Sequence, residues 1–578
     1  LVYLLLFHFY LWRKNMRKIN NLFTEEYQEN NNFPLEEYPR QQFKRDSYFS
    51  LNGLWNYEIS KNKNSRNYQG QILVPYPIQS INSRVNKTLK KNEYIICQKK
   101  FTLEKDFIKD YTILNILGID QEFTIYLNNT LLGEYTFFGV PMQIDISKCV
   151  KEENEIIIIV KDNLNLAFPH GKQSNNPKGM FYTQVSGIYY PIFIESYHQK
   201  HIGSFKYVSN LSSVDLYISC NEDYHIEIYE NEKLLYKIAS NKEHLTINFD
   251  NPHIWSCEDP FLYKLIITSA HDKIESYFAL RIIELKDNFV YLNKKKIFLN
   301  GLLDQGYYPE GIFTVSSYKS YEKDILTMKE LGFNLLRKHI KVEIDYFYYL
   351  CDKYGMLVMQ DFVNNGKYRF IHDTVLPTIG FQSLKDHKVN FYQQKCFIEH
   401  GKKLVKYLFN HPCVIAYTIF NEGWGQQEAD KMYDFFKEYD STRLYDATSG
   451  WFKQIRSDFN SKHIYFKKIN LSKENSPVLL SEFGGYSYKV ENHIFNLKNN
   501  YGYKFFKKQN EFQDAFIKLY LEQIIPNKDK LVGAIYTQVS DVEDETNGLF
   551  TYDRKVLKVD IEKIKSLIQN KVDNYFEL

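Results

Sequence analysis

The sequence predicts a multidomain protein in which two antiparallel β-sandwiches precede a C-terminal (β/α)8 barrel. At 578 residues the chain is longer than one hydrophobic core usually fills, so several domains are expected. Its first half contains short runs in which apolar and polar residues alternate, separated by Asn, Gly, Pro and Asp. After Arg281 the pattern changes to apolar strands that alternate with helices, which is typical of a parallel sheet.

The composition excludes several classes of protein. Hydrophobic residues make up 44% of the chain and aromatic residues 17%, which is enough for packed cores. Lys and Arg total 73 against 70 Asp and Glu, without a basic block, so we expect no nucleic-acid partner. The 7 cysteines are scattered and include no CxxC pair, which predicts reduced, mostly buried thiols and neither a disulfide framework nor a zinc site.

Residues 1–47 form a predicted N-terminal extension. Leu1 to Trp12 is apolar, but a membrane-spanning helix needs about 20 such residues. Positive charges follow this run, whereas in a secretory signal they precede it. We therefore expect Met16 to be the natural start of a cytoplasmic enzyme that does not bind membranes. A truncated signal or anchor, and hence a secreted or anchored protein, is the alternative.

Two β-domains are predicted after this extension. Residues 48–198 contain alternating runs such as Tyr111–Leu117 and Glu155–Val160, which indicate a sandwich of the jelly-roll type. Residues 199–284 contain further short runs, among them Asp215–Ser219, and have the size of an immunoglobulin-like sandwich. Neither domain needs to be catalytic.

Residues 285–578 carry the pattern of the barrel. Buried strands separated by helical segments are predicted at Ile297–Leu303, Phe333–Arg337, Met356–Asp361, Val414–Asn421, Leu444–Ser449, His463–Tyr465, Val478–Phe483 and Val532–Gln538.

Glu422 and Glu482 follow the fourth and seventh predicted strands, each in a turn that contains glycine. A single Glu after an apolar run is usually a hydrated loop residue. However, the carboxyl ends of all barrel strands open onto one face, where barrel enzymes keep their active sites. Two carboxylates facing one cleft are what cleavage of a glycosidic bond requires. The pair therefore predicts a glycosidase.

Other polar and aromatic residues belong to the same predicted rim, and we expect about half of such residues to contact ligand. The substrate-binding candidates are Asn421, Asp304, Arg337, His339, Trp424, Trp451, Tyr465, Tyr536 and Gln538.

From about Tyr48 onward the chain resembles glycoside hydrolase family 2, the group of β-galactosidases, β-glucuronidases and β-mannosidases. The order and spacing of its motifs carry this resemblance, namely Leu51–Trp55, Val74–Pro77, Gly118–Asp120, Gly171–Gln173, Ser186–Tyr189, Ile254–Tyr263, Gly332–His339, Asn421–Glu422, Ser449–Trp451, Ser481–Gly485 and Tyr536–Gly548. The resemblance implies that Glu422 is the general acid/base, that Glu482 is the nucleophile and that Asn421 holds the sugar 2-hydroxyl. Donors such as Arg337 and Tyr465 would keep the nucleophile ionised.

The chain also departs from the best-known β-galactosidases of that family. They carry a His three residues after the second-strand Arg, whereas His339 follows Arg337 by two. They bind magnesium through a Glu and a His after the third strand, whereas this chain continues from Asp361 with PheValAsnAsnGly. No metal or other cofactor is therefore expected. Tyr536 stands where many members have Trp.

Residues 543–548 are informative about which sugar the enzyme accepts. Glucuronidases of the family bind the sugar carboxylate with an Asn-x-Lys motif here, whereas this stretch is acidic and has no lysine. A neutral hexoside, with β-galactoside first, is the expected substrate, and β-glucuronidase or β-mannosidase activity is the alternative. A non-catalytic carbohydrate-binding barrel and an inert scaffold whose β-domains bind a partner are the other hypotheses. A homo-oligomer is possible.

Overall fold

The computed structural model describes residues 19–378 and 389–568. Two β-rich domains and a C-terminal barrel are present, which confirms the predicted fold class. The apolar segment Leu1–Trp12 and Met16 lie outside the described residues. No helix in the described ranges is long and apolar enough to cross a membrane. Five of the 7 cysteines are buried, and the other two are half-buried.

The first domain is a sandwich of a four-stranded and a six-stranded antiparallel sheet. In spatial order the smaller sheet contains Met142–Asp145, Tyr111–Ile116, Ile192–Tyr197 and Tyr48–Ser50. The larger sheet contains Gly70–Val74, Gly53–Ser60, Tyr94–Thr102, Glu153–Lys161, Glu122–Leu127 and Thr130–Thr136. Inward residues such as Trp55 and Ile158 are almost completely buried, as period-two alternation requires.

The second domain has its own core, built around residues such as Ile226 and Leu265. One sheet contains Lys44–Arg45, Lys273–Phe278, Tyr263–Ser269, Tyr224–Glu230 and Lys233–Ser240, and the other Ile202–Ser209, Ser213–Cys220 and His244–Asn248. A small sheet of Ile283–Lys286, Phe289–Leu292 and Lys295–Lys296 leads into the barrel.

Eight parallel strands form the barrel and are numbered here along it. They are β1 Leu299–Asp304, β2 Leu335–Lys338, β3 Leu357–Asp361, β4 Val414–Asn421, β5 Leu444–Ser449, β6 Asn460–Ile464, β7 Val478–Gly484 and β8 Leu531–Thr537. Their pairing order is 5-4-3-2-1-8-7-6. The two end strands of this order, β5 and β6, are joined by a side-chain hydrogen bond, in which Ser461 Oγ donates to Asp446 Oδ1 at 2.8 Å.

Helices lie between these strands and cover the barrel. They are α1 Lys319–Glu330, α2 Asp345–Tyr354, α3 Phe391–Leu408, α4 Ala429–Tyr439, α5 Gln509–Leu519 and α6 Ile561–Ile568. The side chain of Asn390 caps α3 by accepting Gln393 N–H at 2.7 Å.

The segment from residue 19 to 47, predicted only as an extension, ties the domains together. Thr24 bonds to Glu310 of the barrel, and Tyr38 bonds to Glu195 of the first sandwich. Arg45 forms an ion pair with Asp272 of the second sandwich, with Nη2 and Oδ2 2.9 Å apart.

Candidate active site

Two turns at the carboxyl ends of the barrel strands present the predicted glutamates. Glu422 follows β4 directly, and its φ of 53° lies in the left-handed region. Gly423 comes next with φ 71°, and a Cβ there would lie 2.2 Å from the Phe452 ring, so only glycine fits. Glu482 lies within β7, where the pairing with β8 is irregular. These local distortions aim both side chains toward the same opening.

The two carboxylates meet at His463 of β6. One oxygen of each glutamate and a ring nitrogen of His463 all lie within 4.8 Å of one another. His463 Nδ1 is 2.8 Å from Glu422 Oε1, and Nε2 is 3.6 Å from Glu482 Oε1. Carboxyl groups of retaining glycosidases are about 5–5.5 Å apart, whereas inverting enzymes need a wider gap for water. The separation here matches the retaining geometry.

Glu482 lies among donors. Arg337 Nη1 donates to Oε1 at 3.1 Å, and the Tyr465 hydroxyl donates to Oε2. Burial by itself raises the pKa of Glu482, but the positive charges of His463 and Arg337 outweigh it and lower the pKa to about 2. Glu482 is therefore ionised at neutral pH, as a nucleophile must be.

Arg337 is the centre of this network and is completely buried. Besides Glu482, it donates from Nη2 to Asn421 Oδ1 at 2.8 Å and from Nε to Asp361 Oδ1 at 3.0 Å. Asp361 Oδ2 also lies 2.6 Å from His339 Nδ1. Burial, followed by the charge of Lys172, lowers the pKa of His339 to about 4, so its ring is neutral at pH 7. Asn421 is thus linked to Glu482 through Arg337. His339 is linked to it through Asp361 and then Arg337.

Two aromatic substrate-binding candidates, Tyr465 and Trp451, lie beside the glutamate pair. Tyr465 stacks on Tyr503, with ring centroids 3.7 Å apart. The half-buried Trp451 ring lies 5.9 Å from the His463 ring. An exposed aromatic face beside the carboxylates is suitable for packing against a sugar ring.

The structure places other candidates away from the pair. Asp304 accepts from Lys338 Nζ at 2.9 Å. Trp424 is buried and donates to the Gly366 carbonyl at 3.0 Å. Tyr536 packs against Phe516 of α5, and its hydroxyl accepts Tyr486 N–H at 3.2 Å.

Tyr536 is thus a wall residue, which corrects its sequence-based assignment as a substrate-binding residue. Alternation along β8 explains why, since it is the next residue, Thr537, whose hydroxyl lies 3.0 Å from that of Tyr465. Gln538 is fully buried and donates to Glu545 and Asn547 at 3.0 and 2.8 Å. It supports the loop after β8.

Comparison with known proteins shows the family of the chain. The model described as "Glycosyl hydrolases family 2, TIM barrel domain" matches residues 283–571, and "Glycosyl hydrolases family 2" matches residues 204–281. The chain belongs to glycoside hydrolase family 2. The resemblance stated from its motifs is thereby confirmed.

Individual relatives in family 2 are distant. A β-galactosidase of Staphylococcus xylosus is 27% identical over 57% of this chain and 33% of its own length. A β-galactosidase large subunit of Lactobacillus acidophilus is 23% identical over 68% of this chain and 71% of its own length. The chain spans only 30% and 44% of two further β-galactosidases, from Leuconostoc mesenteroides and Pectobacterium atrosepticum.

Solved structures share the fold. An uncultured Clostridium sp. β-glucuronidase has a TM-score of 0.73 at 17% identity, covering 93% of this chain and 99% of that one. A family 2 β-galacturonidase from Eisenbergiella tayi has a TM-score of 0.66 at 15% identity, covering 92% and 99%.

A loop of the first sandwich of this family 2 chain reaches the site and carries Lys172. The backbone N–H groups of His170 and Gly171 both donate to the Asn364 carbonyl at 3.1 Å. Lys172 Nζ lies 5.7 Å from the Tyr182 ring centroid. Its charge contributes to lowering the pKa of Glu482, after the larger effects of His463 and Arg337. Within the described residues, no carboxylate lies within 4.0 Å of this ammonium group.

The acidic stretch after β8 does not form a bare negative rim. Glu543 accepts Thr183 N–H at 2.8 Å, and Asp544 accepts Gly179 N–H at 3.2 Å. Glu545 accepts the Tyr182 hydroxyl at 2.8 Å, and burial raises its pKa. These carboxylates bind residues 179–183 of the first sandwich.

Sequence reasoning missed His463, Asp361, Glu545 and Lys172 as residues of the site. His463 had a usable signal, because it lies two residues before Tyr465 on the same predicted strand and thus on the same face. Lys172 belongs to the motif Gly171–Gln173, but its place in the site was not predicted, since it depends on how the first sandwich docks on the barrel.

Proposed function

We propose that this chain is a retaining exo-β-glycosidase that removes a terminal β-linked sugar by double displacement. Glu482 is the nucleophile and Glu422 the general acid/base. The observation that carries the proposal is the pair itself, with carboxylate oxygens within 4.8 Å and one of the two carboxylates ionised by its donors. A non-catalytic barrel would have no use for this pairing.

The reaction has two halves. In the first, Glu482 Oε attacks the anomeric carbon, the bond to the aglycone oxygen breaks and the proton of Glu422 passes to that oxygen. A glycosyl ester on Glu482 results. In the second half, Glu422 takes a proton from water, whose oxygen displaces Glu482 and yields the β-sugar. Asn421, held by Arg337 at 2.8 Å, is positioned for the sugar 2-hydroxyl.

Proton NMR of early product tests the retaining mechanism. A nitrophenyl β-glycoside should release the β-anomer first, with the α-anomer appearing only by mutarotation. An α-anomer formed first would overturn the proposal, and so would the absence of turnover on every β-glycoside offered.

For the sugar, β-galactoside is the first candidate because the curated relatives named above are β-galactosidases. A β-uronide is the second candidate, and Lys172 is the specific observation that favours it. Lys172 is half-buried, and its charge acts on the carboxylates of Glu545 and Glu482. A sugar carboxylate could form a direct charge-assisted hydrogen bond with this ammonium group.

One experiment separates these candidates. Nitrophenyl β-galactoside, β-glucuronide, β-galacturonide, β-mannoside and β-glucoside are compared in the wild type and in Lys172→Gln, with the exposed Lys100→Gln as control. If the substrate is a uronide, Lys172→Gln should lower kcat/KM for it by about 10²-fold, in line with a lost charge-assisted hydrogen bond. Highest activity on the galactoside, with little effect of Lys172→Gln, supports the neutral sugar.

A further inference from the structure

His463 lies between the two glutamates and is fully buried from solvent at its side chain. Nδ1 is 2.8 Å from Glu422 Oε1. Nε2 is 3.1 Å from Ser449 Oγ and 3.6 Å from Glu482 Oε1. One imidazole ring thus connects both groups that the proposed reaction uses.

The hydrogen bonds around the ring indicate where its protons lie. Ser449 Oγ donates its proton to Ser481 Oγ at 2.8 Å, so toward His463 it offers a lone pair. Nε2 therefore carries a hydrogen. Nδ1 lies 2.8 Å from Glu422 Oε1, a hydrogen bond in which a second hydrogen on the ring would make Nδ1 the donor. A ring that donates from both nitrogens carries a positive charge between the two carboxylates.

Four elements place charged groups around this ring. They are Glu422 after β4, Glu482 on β7, Asp446 on β5 and Arg337 on β2. Burial raises the pKa of Asp446 to about 6, and its Oδ1 accepts Ser461 Oγ at 2.8 Å. Carboxyl groups thus approach His463 from three strands of the barrel, β4, β5 and β7.

We propose that His463 is a positioning residue that holds Glu422 Oε1 through Nδ1–H and leaves Oε2 to exchange a proton with the leaving group and then with water. This rests on the proposed function, since it presumes that Glu422 is the acid/base. After Glu422 has given up its proton, the N–H of His463 stabilises the carboxylate. The proton that water returns in the second half goes to Oε2, and the ring keeps its own two protons throughout.

Kinetics of substituted enzymes test this role. In His463→Leu, kcat for an alkyl glycoside should fall by about 10²-fold, because general acid catalysis contributes about 10²–10⁴ and depends on geometry. A dinitrophenyl glycoside, whose leaving group needs no proton in the first half, should lose much less in kcat/KM. The alkaline limb of the pH profile should move to higher pH, because Glu422 loses the donor that favours its ionised form.

Two further variants separate positioning from folding. His463→Asn keeps an N–H donor near Oε1 and should recover about tenfold of the loss, since a restored charge-assisted hydrogen bond is worth about 1.5 kcal/mol or more. Ser449→Ala removes the Nε2 acceptor and leaves Nδ1 in place, so its dependence on the leaving group should equal that of the wild type. A purely structural role predicts instead equal losses on both glycosides, no recovery and an unchanged pH limb, and this pattern would overturn the inference.

A readout without turnover keeps the test independent of the proposed function. With 15N-labelled histidine, the ring signals absent from His463→Asn belong to His463. In Glu422→Gln the Nδ1 signal of this ring should shift relative to the wild type, and in Glu482→Gln the Nε2 signal should shift, because each nitrogen loses its carboxylate neighbour. If the ring signals of His463 do not change in either variant, the bridging role is refuted, even if no glycoside is hydrolysed. If the signals change in both variants but the wild type hydrolyses no glycoside, only the proposed activity is rejected.

Discussion

Arg337 is completely buried and donates to Glu482, Asn421 and Asp361 at 3.1, 2.8 and 3.0 Å. Its charge, together with that of His463, keeps the pKa of Glu482 at about 2, below the ordinary value of 4.5. Glu482 is therefore ionised at every pH above this value, and it loses its charge only as the pH falls through it. In the wild type, the acid limb of kcat/KM should not report Glu482.

Replacing this arginine should bring Glu482 into the measurable range. In Arg337→Gln the opposite charge is gone, and such a charge typically lowers a carboxyl pKa by about 1–3 units. We expect the acid limb of kcat/KM to move to higher pH by about one unit or more. The exposed Arg456→Gln is the matched control. An acid limb in Arg337→Gln that coincides with the wild type would contradict the electrostatic account.

The two glutamates should respond differently to the leaving group. Glu482→Ala should lose turnover of all substrates by roughly 10⁴-fold or more, as expected for removal of the nucleophile of a covalent mechanism. Glu422→Ala should keep much of its activity on dinitrophenyl glycosides and lose about 10²–10⁴-fold on alkyl glycosides. Steady-state kinetics on both substrates measure this, with the exposed Glu438→Ala as control. Equal losses for Glu422→Ala would refute the assignment.

That activity requires no metal ion remains a prediction. Asp361, at the end of β3, is bound by Arg337 and His339 at 3.0 and 2.6 Å. Magnesium requires about six oxygen ligands. Among the described residues, Glu422, His463 and Glu482 form the group that could hold an ion, and these are the proposed reacting groups themselves. Dialysis against EDTA should leave kcat/KM unchanged, and loss of activity that magnesium restores would count against this prediction.

The helices and strands show how much of the fold the sequence could predict. All eight barrel strands were predicted, because strands buried on both faces appear as continuous apolar runs. The bounds of β4 and β5 were correct to the residue. β6 was placed at His463–Tyr465 but spans Asn460–Ile464. Polar residues occupy its first half, so the sequence lacks an apolar run there, and its pairing with β7 makes it a strand.

The direction of a side chain at a strand end was harder to predict than the strand. Tyr536 and Thr537 are neighbours on β8, and the one-residue difference decides which of them faces Tyr465. The position of a loop between domains could not be predicted from its own sequence. Lys172 enters the site because the loop around Gly171 docks on Asn364, a contact between segments far apart in sequence.

The loop that carries Lys172 gives a prediction at the scale of elements. Gly171 has φ +59°, and a Cβ there would lie 2.7 Å from the Ile340 carbonyl oxygen. Gly171→Ala should therefore strain or lift the loop at a cost of about 1–3 kcal/mol. We expect kcat/KM to fall by about tenfold or more, because this loop supplies Lys172 to the site.

Gly70→Ala is the matched control in the same sandwich, since its Cβ would meet only Tyr57 at 3.5 Å. Steady-state kinetics and the unfolding temperature are measured for both variants. Wild-type kcat/KM in a folded Gly171→Ala enzyme would show that the position of the loop does not matter to catalysis.

At the scale of the whole molecule, one buried network joins the N-terminal segment, the second sandwich and the barrel. His411, in the turn before β4, lies 2.7 Å from Asp352 Oδ2 and 3.3 Å from Asp345 Oδ2. The Tyr277 hydroxyl of the second sandwich donates to Asp352 at 2.7 Å, and Gln41 N–H donates to Asp345 at 2.6 Å. The charge of His411 therefore affects the stability of the contacts among these three parts of the molecule.

This network predicts how stability depends on pH. Burial lowers the pKa of His411, but Asp352 and Asp345 outweigh it and raise the pKa to about 9 from 6.5. Because the folded state binds this proton more tightly, the stabilisation is fully present below about pH 6.5 and is lost as the pH rises through about 9. The shift corresponds to about 3 kcal/mol, by order of magnitude.

Urea unfolding between pH 6 and 9.5 measures this contribution. The free energy of unfolding of the wild type should decline over that range, whereas His411→Asn should be less stable at pH 6 and show a flatter profile. His271→Asn is the control, because that ring is exposed and also lies 2.9 Å from a carboxylate, Glu222. If the free energy of unfolding of His411→Asn declines with pH as steeply as that of the wild type, the buried network does not cause the pH dependence. Other groups with raised pKa values must then account for it.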